Sequence, residues 1–348
     1  MQKKNKIQSS ILLNKNFLRL DKFINKALFS KEGYYYKNEV IGKKNDFITS
    51  PEISQLFGEI IGIYILYIWK IKINSKFNFI ELGPGKGTLF IDIINSLKKY
   101  PDFVKLANIS LIEINKQLLK IQKQKIKDLK LDKINWRSSI NFQSKLPSII
   151  YSNEFFDCFA VRQFFLKKFW FEKYVEFNDE NNTFYFKDKK VTGIKLLLEL
   201  NKYKKEKLLE KAFERNKYFE KVCKFIKKNK GIFITIDYGY FKNIKNFTLQ
   251  SLSNHKFSNI FDNIGEQDIS SHVNFKDLHK IAKKYNLKID EACTQRDFLI
   301  KYGILERKKL LSKNKNNETK NIINNQVERL VGNKEMGNLF KFLIVSNL

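Results

Sequence analysis

The chain has 348 residues, 43% of them hydrophobic and 29% charged, which marks a globular chain with a sizeable core and excludes a disordered one. Its formal net charge of +30 is carried mainly by lysine, because only seven of the 66 basic residues are arginine, and specific nucleic-acid readers favour the arginine fork. The lysines are spread along the whole chain beside abundant Asn, Ile, Phe and Tyr, so they read first as solvated helix faces, with attraction to acidic partners or an anionic membrane left open.

Residues 1–75 read as an N-terminal helical extension. A helix is expected over Phe17–Phe29, followed by a turn at Glu32-Gly33-Tyr34. Thr49-Ser50-Pro51-Glu52 is a helix start, with a hydroxyl at the N-cap, proline in the first turn and an acid at the positive end of the helix dipole. The helix it opens runs to about Trp69 and is apolar nearly all round, so it should be buried. From Lys76 the pattern becomes strand, helix, strand. Phe77–Leu82 and Ile109–Glu113 read as strands, Thr88–Lys99 and Lys116–Leu129 as helices, and Ser148–Ser152 and Gly231–Asp237 as further strands. This alternation predicts an α/β fold, a parallel, doubly wound Rossmann-like sheet formed by residues 76–160 and 231–348. Residues 161–230 interrupt it. Phe164–Phe177 and Thr183–Lys189, joined by an Asn/Asp-rich turn at Asn178–Asn182, predict an antiparallel hairpin, and Val191–Lys228 predicts a long helical stretch. The C-terminal part offers helices near Phe275–Tyr285 and Glu318–Val331, a polar loop at Ser312–Thr319, and a last strand at Leu339–Val345.

Several chemistries have no support. Cys158, Cys223 and Cys293 are odd in number and far apart, which points to a reducing compartment. With only His255, His272 and His279 and no His-Glu-x-x-His, no metal site is expected. The longest apolar run, Ile60–Trp69, is about half of a bilayer span. No secretory signal is read. The acid-free, basic first 20 residues have the charge of a mitochondrial presequence but use Lys in place of Arg.

The segment Glu81-Leu82-Gly83-Pro84-Gly85-Lys86-Gly87 follows a strand and opens a helix. Glycine is needed where the backbone turns sharply and approaches a ligand, and the helix N-terminus offers free N–H groups. The spacing is neither the Gly-x-Gly-x-x-Gly of dinucleotide sites nor a P-loop, since Gly87 follows Lys86. Acid-x-Gly-x-Gly-x-Gly after the first strand is the signature of S-adenosylmethionine-dependent methyltransferases. Glu113, at the end of the second strand, is the acid expected to accept both ribose hydroxyls. After the strand Ser148–Ser152, Ser152-Asn153-Glu154-Phe155-Phe156-Asp157 places polar residues and an aromatic at the mouth of the crevice. Glu154 and Asp157 can localise a cationic guanidinium there. Asp157 reads equally as the cap of a helix beginning near Phe156. On the helix after Thr49, the polar Glu52, Gln55 and Glu59 need partners and face either the cofactor crevice or structural neighbours. His272 reads as a structural histidine or as a reserve general base.

Taken together, these blocks resemble the MidA-like methyltransferases, relatives of the mitochondrial complex I assembly arginine methyltransferase, from about residue 20 to the end. The marks are Gly33-Tyr34-Tyr35, the block from Asp46 to Glu59, the Glu81–Gly87 loop, Asn153–Asp157, and Val161-Arg162-Gln163. Further marks are Ile236–Tyr240, Asp268–Val273, Thr294–Leu299 and Met336–Lys341. Asn45 and Arg296 stand where the family commonly has glycine. The resemblance implies symmetric dimethylation of an arginine in a respiratory complex I subunit, with S-adenosyl-L-methionine held by Pro51, Glu52, Glu81, Gly83, Gly85, Gly87 and Glu113. It also implies Asn153, Glu154, Asp157 and His272 around the acceptor. It leaves the protein in a bacterial cytoplasm or a mitochondrial matrix, as a monomer or a homodimer. Two other readings stay open: a methyltransferase for another protein or a small molecule, and a non-catalytic assembly factor that binds the same cofactor.

Overall fold

The computed structural model describes residues 17–36, 49–131, 133–253 and 256–348. The basic stretch before residue 17, the start of the block at Asp46 with Asn45 before it, and His255 lie outside the described residues. By its internal contacts the chain divides into two units. One comprises Met1–Phe47, Phe156–Lys217 and Tyr240–His272; the other comprises Ile48–Phe155, Tyr218–Gly239 and Val273–Leu348. This differs from the partition expected after residues 75, 160 and 230. The apolar segment after Thr49 goes with the sheet because its side chains supply that core, and residues 240–272 join the insertion.

In chain order the strands are β1 (Phe17–Arg19), β2 (Phe77–Leu82), β3 (Ala107–Ile112), β4 (Ile134–Arg137), β5 (Ser148–Asn153), β6 (Arg162–Leu166), β7 (Trp170–Asn178), β8 (Thr183–Lys190) and β9 (Leu208–Lys211). They continue as β10 (Gly231–Tyr240), β11 (Gln250–Ser253), β12 (Lys256–Ser258), β13 (Asp268–Ser270), β14 (Val273–Asn274), β15 (Lys288–Thr294) and β16 (Phe340–Ser346).

The larger unit is built on a sheet of order β15-β16-β10-β5-β2-β3-β4, with β14 added beside β10. The strands from β10 to β4 are parallel, and β16 runs antiparallel to both β10 and β15. All six residues of β2 are buried, as expected for a parallel strand covered on both faces. Trp69, Phe77 and Phe79 each bring their rings to within 5.5 Å of Phe103 between centroids. Burying each such side chain stabilises the fold by roughly 1.5–3 kcal/mol. The helix Gln55–Ile68 packs on the helix Thr88–Leu97 through two glycines one turn apart. A Cβ on Gly58 would sit 2.4 Å from Asp92 Cβ, and one on Gly62 would sit 2.3 Å from Ser96 Oγ, so the close approach needs both.

The single helix expected from Thr49 to Trp69 is broken. Ser54 is extended (φ −159°, ψ 135°) and separates Ser50–Ile53 from Gln55–Ile68, and a π-helical turn follows over Trp69–Ile73. The Thr49 hydroxyl makes no capping hydrogen bond; Ser54 caps the longer helix by accepting from Leu56 N–H at 3.4 Å. The two edge strands of this sheet escaped the sequence reading for one reason. β4 carries Asn135 and Arg137 among its four residues and β15 carries Lys288, Asp290 and Glu291, so neither edge strand shows an apolar run.

The smaller unit holds an antiparallel sheet of order β1-β7-β6-β9, with β8 on β7, and a three-stranded sheet β12-β11-β13. The expected hairpin between β7 and β8 is present, with Asn178 opposite Thr183. Phe164–Phe177, however, is two strands, because the chain turns over Lys167–Phe169 and pairs Leu166 with Trp170. Val191–Lys228 is not one helix. Helices Ile194–Asn201 and Phe213–Asn229 flank β9, which pairs with β6 and buries Leu209 and Glu210. The N-terminal helix starts at Leu20, not Phe17, because Phe17–Arg19 is taken up as an edge strand on β7. Among the described residues, no helix is long and apolar enough to cross a membrane.

Candidate functional site

The glycine loop leaves the carboxyl end of β2, where Gly83 N–H donates to Ile112 O at 3.0 Å, and closes with Gly87 N–H on Pro84 O at 2.8 Å. Gly83 and Gly85 have φ of 64° and 56°, which only glycine adopts without strain. Their surroundings differ. A Cβ on Gly83 would meet Phe155 Cδ2 at 2.6 Å, so this glycine is required by packing. A Cβ on Gly85 would meet nothing within 4 Å, so here the backbone borders open space. Gly87 is the N-cap of the helix Thr88–Leu97, and Thr88 Oγ1 donates to Glu52 Oε1 at 2.8 Å. That contact places Glu52 at the start of the helix after the loop, with Pro51 buried beside it. Of the other polar residues of this block, Glu59 is paired with Arg307 at 2.6 Å and accepts from Gln55 Nε2 at 3.3 Å. Glu59 and Gln55 therefore satisfy structural neighbours.

Two acids flank the loop on adjacent strands. Glu81 is 2% exposed and accepts from the Tyr151 hydroxyl at 3.0 Å, Tyr151 being its register partner on β5. Burial pushes the Glu81 carboxyl up to about 8; the Tyr151 hydrogen bond opposes this and the charge of Glu113 adds to it. Glu113, just past β3, takes Asn115 N–H on Oε1 at 2.8 Å and Gln122 Nε2 on Oε2 at 3.3 Å. Burial raises its carboxyl above the usual range, and these donors, with Ile114 N–H, hold the rise back. The same Gln122 nitrogen donates to Gly85 O at 2.8 Å, and its oxygen accepts from Trp136 Nε1 at 3.1 Å.

At the end of β5 the chain turns through Asn153-Glu154-Phe155. Glu154 has φ 49°, an uncommon value for a residue with a side chain. Its N–H donates to Ile236 O at 2.9 Å, and its carboxylate accepts from Asn153 Nδ2 at 3.2 Å. Asp237, fully buried at the end of β10, accepts from Phe155 N–H at 3.2 Å and so fixes the turn from below. The Phe155 ring covers Gly83 and lies 5.1 Å from the Tyr218 ring. Through that ring the structure brings Asn153 and Glu154 to the glycine loop. Asn153 Oδ1 is buried and accepts no hydrogen bond.

Asp157 and His272 fall in the smaller unit. No helix begins near Phe156, where residues 156–159 form a turn, so Asp157 caps none; its carbonyl accepts from Ser271 N–H at 3.1 Å. His272 N–H donates to Thr248 Oγ1 at 3.0 Å, which in turn donates to the buried Glu210. The structure therefore groups Asn153 and Glu154 with the glycine loop and Asp157 with His272, one pair in each unit.

Two residues at the site were not singled out from the sequence. Gln122 carried a signal, as the uncharged polar residue on the buried side of a helix otherwise rich in Lys. Tyr151 was hidden inside an apolar run, where a hydroxyl gives no periodic trace.

Residues 60–293 match the profile of the family described as "Putative S-adenosyl-L-methionine-dependent methyltransferase". The chain belongs to that family. This methyltransferase is 26% identical over 340 residues to protein arginine methyltransferase NDUFAF7, mitochondrial, of Danio rerio, an alignment that covers 90% of this chain and 80% of that protein. It is 28% identical over 338 residues to the NDUFAF7 homolog of Drosophila melanogaster, covering 89% and 77%. Its fold is that of a Burkholderia thailandensis protein solved with bound S-adenosyl-homocysteine, with a TM-score of 0.82 and 20% identity over 97% of this chain and 90% of the other. The residues fit the cofactor. The space beside Gly85 is open, Asn153 Oδ1 is a buried acceptor without a donor, and Glu113 presents a carboxylate next to the loop.

Proposed function

We propose that this methyltransferase modifies an arginine side chain of a protein substrate, giving symmetric dimethylarginine in a respiratory complex I subunit. The names of the two relatives and the extent of the alignments support the acceptor class. The observation that carries the reading is the Asn153-Glu154-Phe155 turn, a carboxylate in a strained left-handed conformation beside the cofactor loop. Strain of this kind, on the order of 1–3 kcal/mol, persists where the surroundings over-determine a position, as at active sites.

The cofactor supplies a methyl group on a positively charged sulfur. On this reading Glu81, Gly83, Gly85, Gly87, Glu113, Pro51 and Glu52 line its site, Gly85 giving backbone approach and Glu113 accepting the ribose hydroxyls. An arginine guanidinium is protonated near neutral pH, so its positive charge must be held away from the nitrogen that reacts. Glu154 does this by pairing with the nitrogens that do not react, as Asn153 steadies the carboxylate. Asp157, Asp237 and His272 are the supporting candidates for directing the acceptor nitrogen, with His272 the reserve general base. The remaining work is positioning, which in-line transfer rewards strongly.

The experiment is peptide mass spectrometry of the host's complex I subunits with and without the gene. Loss of a dimethylarginine on deletion is the expected result. Identical methylation in both strains counts against the substrate assignment. Fractionation of the same cells separates a cytoplasmic from a mitochondrial protein.

A further inference from the structure

Gln122 is completely buried on the helix Lys116–Ile126, the exposed face of which is rich in lysine. Burying an amide is costly unless each polar atom is paired. Here each is paired, and the partners come from three different elements. They are Gly85 O in the glycine loop, Glu113 Oε2 beyond β3, and Trp136 Nε1 on β4. The orientation of the amide follows from its partners. An indole N–H only donates, whereas a main-chain carbonyl and a carboxylate accept, so the oxygen faces Trp136 and the nitrogen faces the other two.

We infer that Gln122 is a positioning residue of the cofactor site: one amide nitrogen ties the glycine loop to the ribose-binding carboxylate, setting their separation and keeping Glu113 an acceptor. The inference rests on the reading of Glu113 as the acid that accepts the ribose hydroxyls. The donor from Gln122 acts against the burial that raises the Glu113 carboxyl, so its removal raises that carboxyl further. The ionisable groups on the elements around Glu113 are Glu81 on β2, Lys86 in the loop, Lys116, Lys120, Lys123 and Lys125 on the helix, and Arg137 on β4. Glu81 is coupled to Glu113 by charge; Lys123 lies over the Trp136 ring at 5.3 Å, and the Arg137 guanidinium lies over Phe142 at 4.4 Å. None of these groups is changed in the variants below, so differences among the Gln122 variants report on position 122.

The test is calorimetric titration of S-adenosyl-homocysteine into wild type, Gln122→Met and Gln122→Glu across pH 6 to 8.5, with Glu113→Gln as control. Gln122→Met keeps the volume and loses the donor. Its affinity should be about tenfold weaker at neutral pH, the size of one lost charge-assisted hydrogen bond, and should fall at a higher pH than wild type as the solution is acidified. In Gln122→Glu the introduced acid repels Glu113 when ionised and donates again when protonated, so its affinity should recover as pH falls, the opposite sign. The loss in both should appear as a raised KM for the cofactor more than as a lowered kcat. A purely structural glutamine would lower thermal stability without these opposed pH profiles, and wild-type profiles in both variants overturn the inference. If Glu113→Gln itself binds as wild type, the ribose-acid reading falls along with it. An impaired Glu113→Gln beside unaffected Gln122 variants overturns the inference alone.

Discussion

The Tyr151 hydroxyl donates to Glu81 at 3.0 Å across directly paired positions of β5 and β2, in a part of the sheet where both residues are buried. This carboxyl sits at about 8 because burial outweighs the hydrogen bond. Its folded pKa is raised above the unfolded one, so the folded state binds a proton that the unfolded state has lost. Glu81 therefore contributes stability that is present at low pH and disappears as pH rises from the ordinary glutamate range through about 8. Glu81→Gln should remove that slope, and the gap between variant and wild type should widen in the variant's favour toward alkaline pH. Urea unfolding of the cofactor-free protein at several pH values checks this; parallel curves for the two proteins would contradict it.

The first two glycines of the loop should fail differently. Gly83→Ala drives a methyl into the Phe155 ring and strains a positive φ, so it should cost about 1–3 kcal/mol of stability. Gly85→Ala meets no atom of the described residues within 4 Å and should cost the backbone only about 1–2 kcal/mol, while losing most affinity for S-adenosylmethionine. Unfolding and titration of the two variants separate the effects. Undiminished affinity in Gly85→Ala would remove the loop from the cofactor site.

In the smaller unit, Arg162 holds Glu172 through two bonds of 2.6 and 2.7 Å, with Glu172 almost wholly buried. The guanidinium lies over Phe164 and Phe213. Glu172→Ala should destabilise by about 3–5 kcal/mol because it strands a charge in the interior. Replacing both, Arg162→Met with Glu172→Leu, should recover most of that loss. A double variant no better than the single one would show that the pair contributes more than its mutual compensation.

Much of the sheet was legible because parallel strands buried on both faces read as short, mainly apolar runs, as Phe77–Leu82 does despite Asn78 and Glu81 and as Ile149–Tyr151 does between two serines. The glycine loop was legible because its spacing is set by backbone geometry within a few residues. What stayed hidden depends on distant partners. Ser54 breaks an apolar helix that has no local breaker in its composition, and β9 lies inside a Lys/Glu/Leu stretch that propensity assigns to helix. The same limit applies at the site. Glu81, Gly83 and Glu113 could be named from the motif, but the contact that fixes Gly83 comes from Phe155, and the buried Asp237 anchors that turn from another strand. Gln55 and Glu59 were ambiguous because only the fold shows Arg307 across from them.

The most direct test of the proposed chemistry is methyl transfer from isotopically labelled S-adenosylmethionine to an arginine-containing subunit peptide, by wild type and by Glu154→Gln, with the products identified by mass spectrometry and cofactor affinity measured alongside. Wild type should yield symmetric dimethylarginine, and Glu154→Gln should keep its cofactor affinity and lose most turnover, because the amide cannot hold the guanidinium charge. Wild-type turnover by Glu154→Gln, or methylated lysine or amine without any arginine product, would contradict the assignment of the Asn153-Glu154-Phe155 turn as the arginine site.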